Sequence, residues 1–119
     1  IVSTSVQGCK ADTMGLGPIG ASKKALERAK LTINDIDIVE LNEAFASQSL
    51  ACIKDLQIDP NKVNIDGGAL ALGHPLGATG ARITGKAAQI LRRENKKYAL
   101  ATQCIGLGMG IATIIESVE

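Results

Sequence analysis

The chain has 119 residues, 45% of them hydrophobic and 2% aromatic, and a net charge of +1 from 13 basic and 12 acidic side chains. That length suits one domain whose core removes roughly two thirds of the unfolded surface from water. The charge balance gives no electrostatic ground for nucleic acid or an anionic membrane as partner. Three cysteines without a CxxC pair argue against a disulfide scaffold or a structural zinc site.

No secretory signal is recognisable, and no apolar run approaches the ~20 residues of a membrane helix. A reducing, cytoplasmic setting is the resulting expectation. The chain opens on Ile1 rather than Met, which leaves room for residues upstream.

Taken in order, Ile1 to Val6 alternates apolar residues with Ser and Thr and predicts a strand. Met14-Gly15-Leu16-Gly17-Pro18 breaks the chain, and Pro18 suits the first turn of a helix that runs to about Lys30. Thr32 to Asp35 reads as a turn, and Ile36 to Leu41 as a short buried strand. Asn42 then reads as the N-cap of a helix carrying Phe45, Cys52, Ile53 and Leu56 on one face. On that face Cys52 is an inert core thiol.

Asp59-Pro60-Asn61 is a turn and Val63 to Ile65 a short extended piece. Asp66 to Arg82, DGGALALGHPLGATGAR, packs five glycines around His74-Pro75, and His74 is the chain's single histidine. So dense a set of glycines lets backbone approach backbone or ligand. Past Gly77 a helix is predicted, with Ile83, Ala87, Ile90 and Leu91 as its apolar stripe and an end near Asn95. The basic cluster Arg92, Arg93, Lys96 and Lys97 is expected to face solvent and complement the helix dipole. Tyr98 to Ile105 and Ile111 to Ile115 predict two strands joined as a hairpin through Gly106 to Gly110. Strands alternating with helices before a terminal hairpin predict an α/β fold, a mixed sheet covered by helices.

Three side chains fall at or just beyond a predicted strand's carboxyl end, the edge where layered α/β folds assemble sites: Asn42, His74 and Cys104. Each also has a plainer reading: a helix cap, a buried histidine bonded to a carbonyl, and a buried strand thiol. One Cys and one His are too few ligands for zinc, so no metal is expected, and an amide, an imidazole and a thiol together suit acyl chemistry.

NEAF at Asn42 to Phe45, GGALALGHPLGATGAR at Gly67 to Arg82, CIGLGMG at Cys104 to Gly110 and MGLGP at Met14 to Pro18 closely resemble the motifs of the C-terminal half of thiolases, the acetyl-CoA acetyltransferase family. The resemblance covers essentially the whole chain. It implies a thiolase-like layered domain, residues 1 to 119, belonging to an acyltransferase that condenses two acetyl-CoA molecules or cleaves a 3-ketoacyl-CoA.

It further implies that Asn42 holds a water which, with His74, forms an oxyanion hole, and that His74 helps deprotonate the family's nucleophilic cysteine. Cys104 would be the general acid/base, with a pKa drawn toward neutrality, and the Gly106 N–H would serve a second oxyanion hole. Ala44, Phe45 and Met14 would line the acyl and pantetheine pocket. Coenzyme A is implied as substrate or product, with no separate cofactor. The implied partners are an acyl-CoA, the N-terminal thiolase domain and further copies of the protein.

Two departures bear on this. The family's acyl-accepting cysteine lies in the N-terminal half, and neither Cys9 nor Cys52 has its surroundings, so the chain alone is expected to be inactive and to expose an apolar face. Leu107 stands where the family usually has glycine, which would strain a positive φ. A degenerate thiolase-like binding domain is therefore one alternative. A ketoacyl synthase is another, although that family characteristically uses two histidines.

Overall fold

The computed structural model describes residues 1–118. Four strands, β1 (Ser3–Gly8), β2 (Ile38–Leu41), β3 (Tyr98–Ile105) and β4 (Met109–Glu116), form one sheet in the order β1-β4-β3-β2. β4 is antiparallel to both neighbours, whereas β2 runs parallel to β3. Helices α1 (Gly17–Ala29) and α2 (Ala46–Leu56) cover one face. A four-residue helical turn, α3 (Ala69–Leu72), and the long α4 (Leu76–Arg93) follow, with α4 on the opposite face. The mixed, helix-covered sheet predicted from the sequence is the one observed.

Each layer follows from side-chain pattern. β2 is buried at all four positions, Glu40 included, because helices lie on both sides of it. Leu41, Leu100 and Ile114 pack with Ala21, Leu26 and Cys52 beneath α1 and α2. Ile38, Ala99 and Ile115 pack against Ala87, Ile90 and Leu91 of α4, the stripe expected from its periodicity. Cys52 is fully buried, and burial pushes its thiol up to about 11, so it is inert core.

The α1–β4 contact depends on glycine. A Cβ on Gly17 would lie 2.5 Å from the Met109 carbonyl oxygen, and one on Gly110 would overlap the Gly17 carbonyl. Backbone therefore meets backbone where α1 crosses the hairpin, and Pro18 at the first turn loses no hydrogen bond.

Several boundaries differ from expectation. β1 begins at Ser3 and runs to Gly8 because its register is set by pairing Ser3 with Ile114 and Gly8 with Met109. β2 begins at Ile38, since Ile33–Asp35 forms a 3-10 turn in which the Asp35 carboxylate accepts the Thr32 N–H at 2.7 Å. α4 starts at Leu76, ahead of Gly77, and stops at Arg93, with Asn95 left-handed at φ 51°. The hairpin loop is shorter than read: only Gly106, Leu107 and Gly108 lie between Ile105 and Met109. The basic cluster is exposed, as expected, and Arg93 also makes a bidentate pair with Asp66 at 2.7 and 2.9 Å. Among the described residues no helix is long and apolar enough to cross a membrane.

Candidate active site

The parallel pairing of β2 with β3 delivers Asn42 and Cys104 to the same sheet edge. Asn42 extends the ladder by one step beyond β2, its N–H donating to the Thr102 carbonyl at 2.9 Å. The next residue but one on β3 is Cys104, paired with Gly110 across the hairpin.

Asn42 is not a helix cap. It is fully buried, and α2 begins four residues later with Phe45 in the extended conformation before it. The chain spends Asn42 to Phe45 crossing the sheet edge, so the amide stays in the interior while Phe45, 62% exposed, precedes the helix face it was expected to join. Cys52 and Leu56 do lie on that buried face.

His74 arrives from the other side. Gly73, at φ 88°, turns the chain out of α3, and Pro75 leads into α4. The imidazole is held at both nitrogens. Nδ1 lies 2.7 Å from Thr79 Oγ1, and Nε2 lies 3.4 Å from Asn42 Nδ2. The Thr79 hydroxyl is also within 3.1 Å of the Pro75 carbonyl. Being donor and acceptor at once, it can satisfy Nδ1 in either tautomer.

Cys104 is half-buried on the same cavity. Burial raises its thiol above the ordinary value, the Cys9 thiol adds to this, and its own backbone amide opposes them. Desolvation disfavours the thiolate, so the direction here is opposite to the pull toward neutrality that the family resemblance implies for this thiol.

A cavity of about 570 Å³ is lined by Met14, Ala44, Phe45, His74, Cys104 and Gly106, so six of the seven residues singled out from the sequence share one wall. Asn42 is the seventh and lies behind His74. Leu76, Gln103 and Ile105 also line it and were not singled out. Ile105 and Gln103 flank Cys104 in sequence, and that adjacency was the available signal; Leu76 carried none. Leu107 has φ 65° and is 97% exposed, so the hairpin closes with its side chain in solvent. The arrangement places a half-buried thiol and an imidazole backed by an amide on a largely apolar cavity, which suits proton transfer next to a polarised carbonyl.

Comparison with known proteins agrees with this geometry. Residues 1–117 match the family described as "Thiolase, C-terminal domain". The 3-ketoacyl-CoA thiolase of Alcanivorax borkumensis is 59% identical over 121 residues, covering 99% of this chain and 31% of the relative. That of Shewanella loihica is 56% identical over 119 residues, covering 98% of this chain and 31% of the relative. The crystal structure of human mitochondrial 3-ketoacyl-CoA thiolase superposes with a TM-score of 0.98 at 50% identity over 100% of this chain and 30% of its own. Its complex with CoA gives 0.96 at 50% identity, over 98% of this chain and 30% of its own. The chain thus spans about a third of the length of these relatives, and the shared motifs, the sheet order and the match over 117 residues together place it in the thiolase family.

Proposed function

We propose that this chain is the C-terminal part of a 3-ketoacyl-CoA thiolase and supplies its acid/base thiol and thioester-oxygen site. The observation that carries this is the convergence of the Asn42–His74 pair and Cys104 on one cavity. The names of the relatives, and the human enzyme solved with CoA, support an acyl-CoA substrate.

At 3.4 Å the contact between Asn42 Nδ2 and His74 Nε2 is long for a hydrogen bond, so Nε2 can exchange it for the thioester oxygen when that nitrogen carries the proton. With Nε2 protonated, the Thr79 hydroxyl turns its one hydrogen from the Pro75 carbonyl to Nδ1. Asn42 Oδ1, buried without a partner among the described residues, can orient a water.

Thiolytic cleavage then runs as follows. The acyl-accepting cysteine, from outside this chain, attacks the 3-keto carbonyl as its thiolate, the form in which the second half-reaction releases it, and the bond between the α and β carbons breaks to leave the enolate of acetyl-CoA. His74 and the Asn42-held water stabilise the enolate oxygen. Cys104 gives its S–H proton to the α-carbon, which becomes the methyl group of acetyl-CoA. The Cys104 thiolate next takes the proton of an incoming coenzyme A thiol, whose sulfur removes the acyl group from the acceptor while the Gly106 N–H faces the tetrahedral oxyanion. Run backwards, the same steps condense two acetyl-CoA molecules.

On this reading an N-terminal domain would cover exposed small residues of α4, Gly77, Ala81, Gly85 and Ala88, and exposed Val6 of β1. Association of further copies and a cytoplasmic setting belong to the same reading. Leu107, the ground for a binding-only domain, is tolerated by the loop, and a ketoacyl synthase would call for a second histidine where the chain has one.

Thiolysis of a 3-ketoacyl-CoA should proceed with the complete protein and fall to background with residues 1–119 alone. Robust turnover by the chain alone would overturn the proposal.

A further inference from the structure

Glu43 follows Asn42, yet its carboxylate turns under the glycine loop and not into the cavity. One oxygen, Oε2, accepts the Leu70 N–H at 2.9 Å. The other, Oε1, accepts from Asn64 Nδ2 at 2.9 Å. Asn64 in turn grips the end of β2: its Oδ1 accepts the Leu41 N–H at 2.9 Å and its Nδ2 donates to the Leu41 carbonyl at 2.8 Å. A Cβ on Gly68 would overlap the Glu43 carboxylate, so the chain has glycine where the two meet.

Two side chains, Glu43 and Asn64, therefore join the residues on either side of Asn42 to the turn that delivers His74. From Leu70 the path to the imidazole is short and ordered, with the Leu72 N–H bonded to the Gly68 carbonyl at 3.0 Å and the Gly73 N–H to the Ala69 carbonyl at 2.8 Å. Two donors converge on Glu43 from opposite sides, and only a carboxylate offers an acceptor to each. An amide would present a donor to one of them.

We propose that Glu43 is a positioning residue, which sets the separation of Asn42 Nδ2 and His74 Nε2 by bridging the end of β2 to the Gly68–Gly73 turn without touching substrate. This rests on the reading of Asn42 and His74 as the thioester-oxygen site. It assigns to the second letter of NEAF and to Gly68 a shared purpose in that site's geometry.

The test uses the complete protein carrying Glu43→Gln. A displaced oxygen site weakens an interaction made in the transition state, so kcat and kcat/KM for thiolysis should fall together by about 10- to 100-fold. KM should stay within about twofold, because the substrate-lining wall is untouched. Exchange of the acetyl-CoA α-protons with solvent should slow by the same factor as kcat, each rate expressed per active site titrated by acylation. Gly68→Ala, which crowds the carboxylate from the other side, should reproduce the loss, and the double variant should cost no more than the larger single one. Unchanged kcat and exchange per titrated site in either single variant, with only the melting temperature lowered, would overturn the proposal. Asn42→Ala run in parallel separates the two ideas: if it abolishes exchange while Glu43→Gln does not, positioning alone fails, and if it too is neutral, the oxygen-site reading falls with it.

Discussion

The Thr79 hydroxyl sits 2.7 Å from His74 Nδ1 and 3.1 Å from the Pro75 carbonyl, one turn into the helix that the histidine precedes. The imidazole is thus oriented by a group that belongs to its own loop-helix junction, and either tautomer finds a partner there.

If that hydroxyl orients His74, replacing it with a methyl of similar shape should cost activity and not folding. Thr79→Val in the complete protein should lower kcat by about 10- to 100-fold, the equivalent of losing a hydrogen bond to a group that develops charge. Thr79→Ser should recover most of it. Steady-state kinetics of the two variants decide the matter, and equal rates for Val and wild type would remove Thr79 from the site.

Cys104 is assigned the proton at the α-carbon, separate from acyl transfer. Cys104→Ala should abolish deuterium incorporation into the acetyl-CoA methyl group while the acyl-enzyme still forms. Mass spectrometry of substrate and protein reads both events in one experiment. Exchange at the wild-type rate would take the thiol out of its role.

Glu40 stands on β2 with 1% of its surface exposed, and burial raises its carboxyl to about 7 against the opposing pull of Arg82 and Lys86. Between the unfolded value near 4.5 and about 7, the folded chain holds more protons than the unfolded one. Stability is therefore greatest below that window and declines as pH rises through it. At about 1.36 kcal/mol per pK unit, the decline amounts to about 3 kcal/mol at most. Glu40→Gln in the complete protein should flatten the fall in melting temperature between pH 5 and pH 8. A melting curve as steep in the variant as in wild type would assign the dependence elsewhere.

Leu107 occupies a left-handed position, φ 65°, at a cost of roughly 1–2 kcal/mol for a residue with a Cβ. Leu107→Gly should relieve that strain, and the added freedom of the unfolded chain should return about half of the gain. Its side chain is in solvent, so turnover should stay within about twofold. A large rise in kcat on this substitution would show that leucine holds the adjacent Gly106 N–H out of place.

Element type was legible from local pattern. Apolar periodicity located both long helices and the β2 run, Pro18 marked the start of α1, and the glycines from Gly106 to Gly110 marked the hairpin, whose loop is Gly106 to Gly108 alone. The candidate residues were legible as motif letters, and the cavity collects them. Boundaries such as the start of β1 were not, because strand ends are set by pairing with a partner more than a hundred residues away in the chain.

The sequence alone carried an α/β pattern, a resemblance of its motifs to thiolases, and an amide and a thiol at the carboxyl ends of strands, since periodicity and motif letters are properties of neighbouring residues; the imidazole stands instead on the turn between α3 and α4. Only the tertiary structure decided that Asn42 is a buried partner of His74 and not a cap, that the Cys104 thiol is half-buried, and that Glu43 ties Asn64 to Leu70. Hydrogen-bond partners 21 to 32 residues apart and the desolvation of a thiol exist only once the layers have closed around them.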